Sequence, residues 1–242
     1  MLAQPVEWVV VTLQIYRKVF ARAAVLALKN WPVLGTLFVY SAIRQVAARL
    51  CLPFGMAGGL VLTVIDAACL GSFLYLVEMI VRTAKVTLDD FRRSFGVYLA
   101  DVLGIMFLFW IFSLLSPALG RLPQGELILA CVYIVLFVLF NAVPELIYMG
   151  HYSATALLSE SYEFISENWI EWFPATLIGV TLIAVALLVT AAVLPISGAA
   201  AYVRDAIIAL LVYFTMIVRG LLFIELHGST HRSRAFKHRM GG

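Results

Sequence analysis

Six apolar runs, each long enough to cross a bilayer, decide what this chain can fold into. They cover roughly residues 31–52, 57–82, 96–116, 127–149, 172–196 and 205–226. A helix needs about 20 consecutive apolar residues to span the hydrocarbon core. The runs are continuous and do not alternate, which argues against strands of a barrel. In lipid a helix also satisfies its own backbone polar groups. Composition agrees: 63% of residues are apolar and 13% are charged, against nearer half and a quarter in a soluble domain. The expectation is an all-α membrane protein with six transmembrane helices in 31–226. An N-terminal amphipathic segment, 1–30, precedes them and a basic tail, 227–242, follows.

The basic residues orient the spans. Arg17, Lys18, Arg22 and Lys29 precede the first. Arg82, Lys85, Arg92 and Arg93 lie between the second and third. Arg232, Arg234, Lys237 and Arg239 follow the last. With six spans all three segments fall on one side, and the positive-inside rule makes that side cytoplasmic, both termini included. The opposite connections, LPFGMAGG, SPALGRLPQGE and PISGAAAYV, are short. The N-terminus does not read as a cleavable signal, because Glu7 comes early and the basic residues come late.

Each basic-side segment has helical character. From Pro5 to Asn30, Lys18, Arg22 and Lys29 fall within about 40° of one another at 100° per residue. That pattern predicts a helix lying on anionic lipid headgroups. Shorter interfacial helices are expected at about 86–95 and 153–170. The chain then reads as three repeats of surface helix plus helical hairpin, 5–84, 85–152 and 153–227. The first and third share an Asn-Trp, Asn30-Trp31 and Asn168-Trp169. Trp31, Trp169 and Trp172 are the expected headgroup-level anchors. In the third repeat Glu160, Glu163, Glu167 and Glu171 make one acidic stripe. Such a stripe is repelled by anionic lipid. It fits a solvated face, the chain's own basic segments or a partner subunit.

From Pro144 the chain runs PELIYMGHYSATALLSESYEFISENW. This resembles a broad bacterial family of six-helix membrane proteins, found alone or as the membrane domain fused to some glycerophosphodiester phosphodiesterases. Ser153, Leu158, Ser161, Tyr162, Phe164, Asn168 and Trp169 occupy the matching places. Ala154 stands for the family's proline, Leu157 for its alanine, and a run of Glu for its usual Arg or Lys. The resemblance implies a bacterial inner-membrane location and a six-helix fold. Without the phosphodiesterase domain it implies no hydrolase activity.

Ionisable groups inside a span are costly, and each one raises the question of function. Asp66 falls near mid-membrane. Asp101, Asn141, Glu145, Arg219 and, at the edge, Glu78 fall in the cytoplasmic half. They form a candidate polar site in which Arg219 can pair with Glu145 or Asp101; the groups fit buried ion pairs that fix helix packing, a proton- or cation-coupled site, or a pocket for a polar lipid headgroup. Pro144 removes a donor from the fourth span and frees a carbonyl one turn back. No HExxH, GxSxG or Gly-rich phosphate loop is present. Cys51, Cys69 and Cys131 have no ligand-like spacing. His227 and His231 read as an ordinary juxtamembrane segment. Neither metal, cofactor nor nucleic acid is expected. Membrane lipids and a protein partner in the membrane or at its cytoplasmic face are. The sequence favours a non-enzymatic scaffold or accessory subunit of a membrane complex. Its alternative is a transporter or lipid-handling protein working through the Arg/carboxylate groups.

Overall fold

A computed structural model of the chain describes residues 3–150, 154–193 and 199–227. Among them every long element is a helix: α1 (Ala3–Lys29), α2 (Pro32–Cys51), α3 (Gly55–Thr83), α4 (Leu88–Ser94), α5 (Leu99–Gly120), α6 (Gly125–Leu139), α7 (Val143–Gly150), α8 (Ala154–Val193) and α9 (Ala199–Leu226). Among the described residues five stretches are long and apolar enough to cross a membrane: Pro32–Thr83, Leu99–Gly120, Gly125–Gly150, Ala156–Val193 and Ala200–Leu226. The basic residues of the tail lie outside the described residues.

The chain packs as two compact units, neither contiguous in sequence. One contains Met1–Leu37, Met79–Lys85 and Glu167–Gly242; the other contains Phe38–Glu78 and Val86–Ser166. The packing units are therefore not the three contiguous repeats expected above.

The 52-residue stretch, whose middle part Phe38–Glu78 belongs to the second unit, folds back on itself. A single 3-10 turn, Leu52–Phe54, leads into Gly55 at φ 53°, ψ −123°, a conformation open to glycine. A Cβ on Gly58 would sit 2.0 Å from the Cys51 carbonyl oxygen, so the turn leaves no space for a side chain there. The result is an α2–α3 hairpin, tied by Tyr40 to Ser72 (2.6 Å) and by Arg44 to Asp66 (3.0 Å). α5 and α6 form a second hairpin, with Phe112 against Tyr133 and Phe109 against Phe140. Between the two hairpins, α4 starts from a capping box in which Thr87 and Asp90 satisfy each other's backbone N–H.

The fourth apolar stretch breaks where Pro144 predicts. α6 ends at Leu139 and α7 begins at Val143. The Val143 N–H bonds to Phe140 O instead of reaching Leu139 O. Leu139 O is taken up by the Ser161 hydroxyl of α8. The carbonyl freed by the break is thus satisfied by a side chain from another helix.

In the first unit α1 packs antiparallel to α9. Tyr213 OH donates to Ala27 O (3.2 Å) and Asn30 O (2.9 Å), Phe20 meets Phe214, and Lys18 reaches Glu225 (3.7 Å). The buried face of α1, Val11, Val19, Ala23, Leu26 and Ala27, meets protein where lipid was expected. Its basic residues Arg17, Lys18, Arg22 and Lys29 are exposed as read. Asn30 ends α1, its amide donating to Leu26 O (3.0 Å) and Ala84 O (3.3 Å). Pro32 then opens α2 at its first position, where the missing N–H would have had no partner within the helix.

The second Asn-Trp does not act as the first does. The surface helix expected at 153–170 and the fifth span are one continuous 40-residue helix, α8. Asn168 is buried within it. No proline follows at once, and Pro174, six residues after Asn168, sits inside the helix. At about 1.5 Å per residue, α8 is about twice as long as a bilayer core is thick.

Burial is graded along the helices. In the second unit the α3 segment Phe73–Glu78 and α7 are buried. The runs Phe107–Leu115 and Leu127–Phe137 present large apolar side chains to the outside. In the first unit Tyr213–Leu226 is largely buried, whereas Leu177–Val193 and Tyr202–Leu210 expose theirs. Exposed apolar surface on this scale suits hydrocarbon, not water.

Candidate functional site: buried polar groups in each unit

The polar groups sit in the densely packed portion of each unit. In the second unit Glu78 lies in the buried part of α3. It accepts a hydrogen bond from Tyr98 OH at 2.5 Å, and both side chains are buried. Tyr98 is the residue that precedes α5, and Asp101 lies in the first turn of that helix. Gly71 makes the approach possible: a Cβ there would already be 3.3 Å from the Tyr98 carbonyl carbon. Asn141 occupies the break between α6 and α7, buried. Glu145 follows in the first turn of α7, fully buried. Asp101 and Glu145 each stand in the first turn of their helix.

A second polar line runs beside them. Tyr40 OH and Ser72 Oγ are bonded. Ser72 is bonded to Ser94, and Ser94 donates to Phe91 O (2.7 Å). Three hydroxyls from α2, α3 and α4 are thereby satisfied without water. Tyr40 also stacks on Phe91 and meets Phe95 edge-on.

Arg219 belongs to the first unit. It is buried, with its guanidinium 5.0 Å from the Trp172 ring centroid. That geometry is a cation–π contact, which gains strength as water is excluded. Trp172 in turn meets Phe223 edge-on, and Phe223 stacks on His227. Trp172, expected at the headgroup level, is fully buried among these groups. Trp31 and Trp169 are exposed, at 69% and 58%.

The acidic stripe divides. Glu163 and Glu167 are exposed and Glu160 is half-buried, but Glu171 is buried. Tyr16 OH donates to the Glu171 carbonyl oxygen at 2.6 Å. Burial pushes the Tyr16 hydroxyl up to about 12; the nearby Glu171 carboxylate adds to this and the Ala175 backbone opposes it.

Asp66 has a partner that the sequence reading passed over. Arg44 on α2 holds it at 3.0 Å, and the Arg44 side chain is 66% exposed. The signal was available: both residues stand eleven positions from Gly55, where the chain turns. Tyr98, Ser161 and the Tyr40–Ser72–Ser94 line were also missed. Nothing in their spacing marks them, because their partners lie on other helices. Cys51, Cys69 and Cys131 are free thiols. Among the described residues no three His, Cys, Asp or Glu side chains gather as metal ligands. Compared with known proteins, the chain matches no family model, no curated protein and no solved structure.

Proposed function

We propose that the protein is a membrane-embedded transporter or lipid-handling protein whose working groups are the buried Glu78 and Glu145 and the half-buried Asp101 of the second unit. It crosses a bacterial inner membrane six times, the α2–α3 hairpin counting twice, with its basic segments on the cytoplasmic side. Glu78, Asp101 and Glu145 are the acidic groups, and Asn141 and Tyr98 their neutral companions. The observation that carries this reading is the burial of Glu78 and Glu145 in an apolar chain, Glu145 beside the break between α6 and α7. A carboxylate in such a place is costly and has to be supported by its surroundings. The resemblance of residues 144–169 to the six-helix family is part of the proposal. So is the absence of enzymatic chemistry.

Reconstituted vesicles test it. The wild-type protein should speed transbilayer movement of a fluorescent phospholipid or of protons, read with an enclosed pH dye. Glu145→Gln and Asp101→Asn should abolish that flux while the protein stays folded. If they lower only thermal stability, the carboxylates are structural and the reading fails. A scaffold or accessory subunit then takes its place, supported by the exposed Glu163 and Glu167 on α8 as a docking face.

A further inference from the structure

The α2–α3 hairpin carries a feature that the proposed carboxylate chemistry does not use. An open groove of about 660 Å³ runs along it. Val39, Ile43, Val46 and Leu50 form its stripe on α2, and Val61 and Ile65 face them from α3. The stripe spacing of four, three and four keeps these side chains on one helical face. No polar side chain lines the groove. From Val39 to Leu50 it runs about 16 Å at 1.5 Å per residue, or half of a hydrocarbon core.

The turn end of the groove is charged. Arg49 lies in the last turn of α2 and is exposed. Two turns on from Ala42, it falls on the same flank of α2 as that groove residue and is adjacent in sequence to Leu50, which also lines the groove. Arg44 lies on the opposite flank and is neutralised by Asp66, whereas Arg49 has no ion pair among the described residues. Beyond Arg49, Leu52, Phe54 and Met56 are strongly exposed apolar side chains, suited to the interfacial level.

We infer that this groove is a binding site for one anionic phospholipid of the leaflet that meets the hairpin turn. One acyl chain lies along the stripe, and the phosphate is held by Arg49. Charge complementarity selects an anionic headgroup. The length of the apolar stripe matches a single leaflet. The inference rests on α2 and α3 crossing the membrane as a hairpin, but not on the carboxylates.

The test is native mass spectrometry of the full chain purified in mild detergent and incubated with phosphatidylglycerol, phosphatidylcholine or glycerol phosphate. One phosphatidylglycerol should be retained, and phosphatidylcholine should not. Arg49→Ala should lower the retained fraction roughly tenfold, the loss of one charge-assisted hydrogen bond. Arg49→Lys should keep most of it. Ala42→Trp fills the groove from an exposed position and should lower retention without unfolding the chain. Equal retention of phosphatidylglycerol by the wild type, Arg49→Ala and Ala42→Trp would mean annular lipid only and overturns the site. So would retention of both lipids alike, or full competition by glycerol phosphate. A dimer dissociated by Ala42→Trp would make the occupant a second copy and overturn it as well. The carboxylates are unchanged in every variant, so a failed flux assay leaves the lipid count standing.

Discussion

Removing the Ser161 hydroxyl tests how the break in the fourth apolar stretch is supported. Ser161 is buried and donates to Leu139 O, which has lost its helical partner because the Val143 N–H turns to Phe140 O. Ser161→Ala leaves that carbonyl unsatisfied in an apolar setting. The expected cost is about 1–2 kcal/mol, between the averages for membrane hydrogen bonds and for bare buried acceptors. In a chain of this size that lowers Tm by about 2–8 °C. Pro144→Ala restores an N–H at position 144, which can bond to Phe140 O. Val143 is then released to return to Leu139 O. On the Pro144→Ala background Ser161→Ala should therefore cost less than half as much. Unfolding in mixed micelles, with both single variants and the double variant, gives the coupling energy directly. An equal cost of Ser161→Ala on both backgrounds would refute the link between the proline, the break and the serine.

Three further outcomes follow from local geometry. A methyl at Gly179 would lie 2.6 Å from Thr215 Cγ2, so Gly179→Ala should lower stability by about 1–2 kcal/mol through overpacking of α8 against α9. On a Thr215→Ala background, where the nearest Thr215 atom left is Cβ at 3.5 Å, the same change should stabilise by up to about 1 kcal/mol through helix propensity. Ala84 ends α3 in the left-handed region at φ 59°, and Ala84→Gly should raise the unfolding free energy by about 1 kcal/mol in the same micelles. Tyr16 titrates at about 12 against about 10 unfolded. Its contribution is complete below about pH 10 and is lost as pH rises towards 12. Tyr16→Phe should remove one late transition from the tyrosinate absorbance titration and flatten the alkaline loss of stability.

The membrane class and the places of most helices are legible in the sequence, because long apolar runs and turn residues act locally. LPFG marks the hairpin turn, Pro144 the break, and Asn30 followed by Pro32 the end of α1. Asn168 misled for a physical reason: an asparagine ends a helix only when the chain beyond it cannot continue, and no proline follows it at once. Periodicity also shows where polar residues lie on a helix but not what covers them. It placed Glu171 in the acidic stripe and Trp172 at an interface, and the structure buries both. Arg44 could have been paired with Asp66 by counting outward from Gly55. The bonds of Glu78 to Tyr98 and of Ser161 to Leu139 cross between helices, and one sequence carries no register for that.

Sidedness of the α2–α3 hairpin is the claim on which the rest depends. The Tyr40–Ser72 and Arg44–Asp66 contacts put Phe54 at the turn. The 29-residue α3 carries Lys85 to the other end, about 44 Å away along the helix. Single cysteines at Phe54, Leu122, Lys85 and Leu88, in a chain with Cys51, Cys69 and Cys131 replaced by serine, report this directly. With a membrane-impermeant maleimide on intact cells, positions 54 and 122 should label at once. Positions 85 and 88 should label only after the membrane is opened. Labelling of 54 and 85 from the same side would show that the hairpin does not cross the bilayer and would contradict the account.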